Sequence, residues 1–231
     1  MNVLIVVAHP DDEALGCGMT GAALAAQGHS VRACFLVGQA EARGGLPQDN
    51  GLQSDLQNAQ RILGFGPPIL GTFPNIRLNT VPHLELVQFV EKALVESSAD
   101  IVFTHHPADV NDDHLHTSRA CQAAIRLFQR RAGVRRADLY FAEILSSTDW
   151  ALPGGAPQFS PDTFVDGTAF LDRKLEAMRA YRGVMRDAPH PRSEQVLRAL
   201  ANYRGGQCGY HAAEAFQTAF RTGQPAEVFG R

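Results

Sequence analysis

Apolar and polar positions follow two rhythms along these 231 residues. Val3-Leu4-Ile5-Val6-Val7 is an unbroken apolar run, which predicts a strand at residues 2–7 buried on both faces. Further runs at Ser30–Leu36, Ile69-Leu70, Ile101–Thr104 and Leu139–Phe141 predict four more strands. Between them the apolar residues recur at helical spacing. Met19, Ala22, Ala23 and Ala26 predict a helix over 16–28, stopped by Gly28. Leu52, Leu56, Ala59, Ile62 and Leu63 predict a second, with Asn50 as its cap. Leu84, Val87, Val90, Leu94 and Val95 predict a third from Val81, and Leu115, Ala120, Ala124, Leu127 and Phe128 a fourth from about His114 to Arg130. Strands alternating with helices at this pitch predict an α/β fold: a mostly parallel sheet wrapped on both faces.

After Glu143 the regularity drops. Residues 143–161, with Trp150, Pro153, Gly154 and Gly155, read as a structured loop. Phe164-Val165 reads as a sixth strand. Helices follow at Leu171, Leu175, Met178 and Tyr181, and at Val196, Leu197 and Leu200, and Ala213 to Arg221 closes the chain. No linker, repeat or low-complexity stretch interrupts residues 1–231, so one domain is expected. Its core would be 1–145, with 146–231 a loop and helical part that completes the site.

The polar residues are concentrated where strands end. The first strand runs into Ala8-His9-Pro10-Asp11-Asp12-Glu13, two adjacent carboxylates beside a histidine. Carboxylates cluster near a core when they are paired or hold a cation. His9 and Asp12, three residues apart on a turn, can both face one cation while Asp11 points elsewhere. A second cluster, His105 to His116, follows the fourth strand. In the common strand order 3-2-1-4-5 the first and fourth strands are neighbours, and ligand sites form beyond the carboxyl ends of strands at that switch point. One histidine of the second cluster added to His9 and Asp12 makes a three-ligand site with a position open to water, the arrangement of catalytic zinc. Such a metal lowers the pKa of water to about 7, and the unliganded Asp11 is then placed to be the general base.

Composition narrows the picture. The chain is 45% hydrophobic and 19% charged with a net charge of −3, ordinary for a globular protein and contrary to an obligate nucleic-acid binder. No apolar run is long enough for a membrane span. Met1-Asn2-Val3 enters the first strand with no basic segment before it, so no secretory signal is expected. Cys17, Cys34, Cys121 and Cys208 are isolated, which favours buried thiols over zinc fingers or disulfides and, with the missing signal, a cytoplasmic location.

Taken together, the motifs resemble the LmbE-like, or PIG-L, family of zinc-dependent N-acetylglucosamine deacetylases. The resemblance is carried by Ala8-His9-Pro10-Asp11-Asp12-Glu13 and by Asn111-Asp112-Asp113-His114, and more weakly by Phe73-Pro74-Asn75-Ile76-Arg77-Leu78 and the Arg43 loop, over roughly residues 1–145. It implies a Rossmann-like αβα sandwich, with His9, Asp12 and His114 as ligands of Zn2+ or another divalent metal and Asp11 as general base. It also implies Arg43 and Arg77 as substrate contacts and a small N-acetylated amino sugar or its conjugate as substrate. The family is often oligomeric, so a homo-oligomer is compatible with the resemblance. Asn111 stands where many members carry a histidine thought to stabilise the oxyanion or protonate the leaving amine. Asn111 can hydrogen-bond to substrate but cannot titrate, so either His116, His106 or His190 would take over or the site would lean more on zinc and Arg77.

Plainer readings compete. Paired aspartates often cap helices, and His114 in isolation would be a surface residue at a helix start. His116 is an alternative ligand to His114. Glu13 reads as support for the helix start, Asp113 as a cap or an orienting neighbour, and Asp109 as a residue behind the ligands. Gly16-Cys17-Gly18-Met19-Thr20-Gly21 matches a dinucleotide fingerprint, but eight residues separate it from the strand and no acidic residue closes the second strand. Its glycines are better explained by close packing of the first helix on the sheet. The remaining rival is a metal-dependent sugar-binding protein without turnover, motivated by Asn111.

Overall fold

The structure, a computed structural model, describes residues 1–38, 51–131, 133, 136–152 and 157–224. In chain order the elements are β1 (Asn2–Val7), α1 (Asp12–Ala26), β2 (Ser30–Phe35), α2 (Gly51–Leu63), β3 (Ile69–Leu70), α3 (His83–Ser97), β4 (Ile101–His105), α4 (Asp112–Phe128), β5 (Asp138–Ala142), β6 (Thr163–Asp166), α5 (Leu171–Ala180), α6 (Glu194–Cys208) and β7 (Ala213–Phe220). They build a seven-stranded sheet in the order β3-β2-β1-β4-β5-β7-β6. It is parallel from β3 to β5, while β7 pairs antiparallel with both β5 and β6.

The apolar run of β1 is continuous because both of its faces are covered. Val3, Ile5 and Val7 pack into one core with α1, α2 and α5, and Leu4 and Val6 into the other with α3 and α4. Each such side chain taken out of water contributes roughly 1.5–3 kcal/mol, so a one-residue slip of β1 would exchange its two faces at once. Cys17, Cys34 and Cys121 are buried free thiols, and Cys208 is exposed and free. No helix among the described residues is long and apolar enough to cross a membrane.

Several boundaries differ from the sequence pattern for local reasons. The first helix begins at Asp12 rather than at 16. Asp11 adopts the left-handed conformation (φ 117°), which turns the chain so sharply that Asp12 and Glu13 already form the first helical turn. The fourth helix begins at Asp112, with Asn111 as the cap whose side chain accepts from Asp113 N. The third begins at His83, after Pro82, rather than at Val81. The Phe73–Thr80 loop ends in a 3₁₀ turn, Leu78–Thr80. The closing segment from Ala213 is a strand inserted between β5 and β6, so the sheet gains two strands rather than one, and β7 runs against the strands on either side of it. Residues 39–50, with Arg43 and the expected cap Asn50, lie outside the described residues, as do Pro153, Gly154 and Gly155.

Candidate metal centre

Adjacent parallel strands β1 and β4 end side by side, and the loops after them meet. His9 leaves the end of β1, Asp12 opens α1, and His114 sits in the first turn of α4. His9 Nδ1 and His114 Nε2 each lie 3.3 Å from Asp12 Oδ2, and all three residues are buried. Donors held at about 2.1 Å around a tetrahedral zinc are separated by about 3.4 Å, so this donor set fits a small tetrahedral cation. Each histidine is anchored through its other nitrogen: His9 Nε2 lies 3.1 Å from Asp113 Oδ2 and His114 Nδ1 3.1 Å from Asp109 Oδ2. A carboxylate behind the histidine is the usual way of fixing the tautomer of a metal ligand.

The two anchors are themselves held. Asp113 accepts from the main-chain N–H groups of Ile76 and Leu78 at 2.7 and 2.9 Å. Asp109 accepts from Ser147 Oγ, from Thr148 Oγ1 at 2.7 Å and from Asn111 N at 2.9 Å. His105 stacks on His114 with ring centroids 3.8 Å apart, and its Nε2 accepts from Ala8 N at 2.8 Å. His105, Asp109 and His114 form a second group with metal-ligand spacing. His114 Nδ1 and Asp109 face each other there, which makes that group the support of the first.

The electrostatics favour positive charge. Burial would lower the pKa of His114, but the Asp12 and Asp109 carboxylates override it and push the pKa up to about 10. Burial likewise opposes charge on His9, yet its bonds to Asp113 and Asp12 raise its pKa. Burial would raise Asp12, but His114, His9 and His105 hold it well below the usual carboxylate range. His105 is pushed down to about 3, by burial first and then by His114, and is neutral. Three carboxylates around two histidines are thus arranged to neutralise a cation.

Asp11, its neighbour Asp12 turned away, reaches a different partner. Its Oδ2 accepts from Arg192 Nη1 at 3.0 Å, and Arg192 Nε donates to Ser146 Oγ at 2.9 Å. A cavity of about 310 Å³ opens in front of both aspartates, lined among others by His9, His114, Asn111, Arg186, His190 and Arg192. His190 Nδ1 accepts from Arg192 N at 3.0 Å, which leaves Nε2 as the ring nitrogen that can donate.

The other expected site residues are placed elsewhere. His116 does not line the cavity; its Nδ1 faces the Asp112 carbonyl at 2.8 Å, because two positions along a helix turn it away from His114. His106 is buried, accepts from Ala108 N and stands edge-on to Phe141 and Phe159. Arg77 is exposed outside the lining, and Arg43 lies outside the described residues. Glu13 supports Asp11: its Oε2 accepts from Asp11 N at 3.0 Å, and its Oε1 from Gln60 at 2.9 Å and from the Tyr181 hydroxyl. The stretches Ser146-Ser147-Thr148 and Pro189-His190-Pro191-Arg192-Ser193 resemble those of a sugar-associated branch of the family, but nothing in the sequence pairs Arg192 with Asp11 or Ser146 with Arg192.

Similarity to known proteins agrees with this geometry. Residues 4–125 match the model of the GlcNAc-PI de-N-acetylase family, PIG-L. An uncharacterised deacetylase of Escherichia coli (strain K12), YaiS, is 30% identical over 140 residues, spanning 57% of this chain and 72% of YaiS. The conserved protein TT1542 from Thermus thermophilus superposes with a TM-score of 0.77 at 30% identity, over 96% of both chains. The N,N'-diacetylchitobiose deacetylase from Pyrococcus horikoshii gives 0.73 at 20% identity, over 93% of this chain and 82% of that one. GalB, a 4-carboxy-2-hydroxymuconate hydratase of a Pseudomonas, gives 0.75 at 19% identity, over 97% and 98%, so the shared fold alone does not select the reaction. The family match covers more than half of the chain and includes both aspartates, Asn111 and His114, and on that ground the chain belongs to the PIG-L de-N-acetylase family.

Proposed function

We propose that this protein is a metal-dependent amidohydrolase, with zinc as the metal, that removes an acetyl group from an N-acetylated amino sugar or its conjugate. The observation that carries the reading is the convergence of His9, Asp12 and His114 on one point, with Asp11 beside them in the same cavity. His9, Asp12 and His114 would hold the metal, which when bound supplies a Lewis acid and lowers the pKa of water to about 7. Asp11 takes a proton from the water that attacks the amide carbonyl. Arg192 holds the Asp11 carboxylate in place. Asn111 and His190, both on the cavity wall, are the donors for the carbonyl oxygen as charge develops on it. The carbon–nitrogen bond then breaks, and the amine takes the proton that Asp11 took from the water. The products are acetate and a free amino sugar.

The test is an acetate-release screen over N-acetylhexosamine conjugates, with zinc and with a chelator, on the wild-type protein and on Asp11→Ala. Release that needs zinc and falls by about a thousandfold or more in Asp11→Ala supports the reading. Full activity in the zinc-loaded variant would remove Asp11 as the base. Tight sugar binding with no acetate over hours would point to a binding protein instead.

A further inference from the structure

Two side chains from the last third of the chain reach into the middle of α1. Lys174 of α5 and Glu214 of β7 are both buried, and they pair Nζ to Oε1 at 2.7 Å. Lys174 Nζ also donates to the Leu15 carbonyl at 2.6 Å. Glu214 accepts from the main-chain N–H of Met19 at 3.0 Å and of Thr20 at 2.7 Å. The Leu15 carbonyl and the Met19 N–H are the two ends of one rung of an α-helix, residue i to residue i+4. The ion pair therefore stands on that rung. Gly18 makes room for it: a Cβ there would lie 2.9 Å from Lys174 Cγ.

Such a pair is a poor choice for stability alone. Desolvating two charges offsets most of their attraction, and apolar residues of similar volume often do as well or better. Its position is what distinguishes it. A group inserted into the helical ladder sets the angle between the turns on either side. On one side lies the first turn, Asp12 to Leu15, whose Leu15 N donates to the Asp11 carbonyl at 2.9 Å. On the other lies the body of the helix from Met19 onward. Neither Lys174 nor Glu214 lines the cavity in front of the two aspartates.

We propose that the Lys174–Glu214 pair is a positioning device: it fixes the first turn of α1 against the helix body and so aims Asp12 at the metal. This rests on reading His9, Asp12 and His114 as the metal ligands. It assigns the segment after β5 a role in the metal centre that no ligand supplies, because both partners come from that segment.

The test replaces both partners with apolar residues, Lys174→Met with Glu214→Leu, since removing one alone strands a buried charge. Cobalt(II) is the probe: its visible bands report coordination geometry, and titration gives its dissociation constant. The expected result is a double variant that melts no lower than wild type, while its cobalt bands shift and its dissociation constant rises by about tenfold or more. A folded double variant with the wild-type spectrum and affinity overturns the positioning role. Should the double variant not fold, Gly18→Ala, which pushes on the Lys174 stem from the helix side, carries the two cobalt readings: shifted bands with weaker binding are expected, and the wild-type spectrum and affinity overturn the positioning role whatever the change in melting temperature. A wild-type protein that takes up no cobalt, or binds it equally well after His9→Ala, overturns the metal-site reading and the inference with it. An unchanged spectrum in the double variant of a normal cobalt binder overturns the inference alone.

Discussion

A left-handed residue separates two neighbouring carboxylates that would otherwise repel. At φ 117° the Asp11 backbone costs on the order of 1–3 kcal/mol, and it sends Asp12 toward the two histidines and Asp11 toward Arg192. Glu13 holds the strained turn through the Asp11 N–H, and burial pushes its own pKa up to about 7. That sets a sign. The folded protein holds the Glu13 proton more tightly than the unfolded chain, whose value is 4.5, so this contribution to stability is complete below about pH 4.5 and lost as pH rises through 7. Urea unfolding at pH 5 and pH 7.5 should show a smaller loss of stability in Glu13→Gln than in wild type; equal losses would remove Glu13 as the cause. The histidines separate as clearly. His190→Ala should lower kcat by roughly a hundredfold or more, while His116→Ala, off the cavity, should stay within about twofold of wild type, because mild surface changes cost little. Comparable losses in the two variants would overturn that assignment. The sequence named both histidines, and only their orientation distinguishes them.

At the scale of elements, α1 resolves what the glycine motif means. A Cβ at Gly16 would lie 2.8 Å from Ile144 Cδ1, at Gly18 it would press on Lys174, and at Gly21 on the Phe65 ring. The spacing that imitates a nucleotide fingerprint is therefore the imprint of three side chains against a helix buried on nearly all sides. Gly21→Ala should destabilise the protein by about 1–3 kcal/mol through overpacking, measured as a lower urea midpoint with an unchanged slope; no loss would mean that Phe65 rotates away freely. The rhythm of apolar residues was sufficient for β1, α3 and β4. It failed at the start of α1, where polarity reads as loop although Asp12 and Glu13 are the first helical turn, and at β7, whose mixed Ala213-Glu214-Ala215-Phe216 has no strong period.

For the whole molecule, the sheet order brings β1 and β4 together and assembles the centre from residues more than a hundred positions apart. Its carboxylates keep His114 protonated up to about pH 10 when no cation is present. A metal must displace that proton, so binding should weaken by up to about tenfold for each pH unit lowered below that value, per proton released. Calorimetric titration with zinc in buffers of different ionisation enthalpy should show at least one proton released near pH 7. Saturating zinc should also raise the melting temperature, by the equivalent of about 4 kcal/mol at a thousand times the dissociation constant. Zinc binding without proton release would contradict the charge arrangement.

The sequence by itself determined the parallel core, the two polar clusters and the family, because these are written in short contiguous patterns: a strand, a turn and the first residues of a helix. It also named Asp11, Asp12, His9 and His114 before any distance was known. Tertiary structure decided the rest. Whether Asp109 and Asp113 stand behind His114 and His9 depends on side-chain direction at a helix start. Arg192 meets Asp11 across 181 positions, and Glu214 meets Met19 across 195. No local pattern encodes such pairs, since each residue alone reads as an ordinary charge and becomes specific only when packing removes water from both partners.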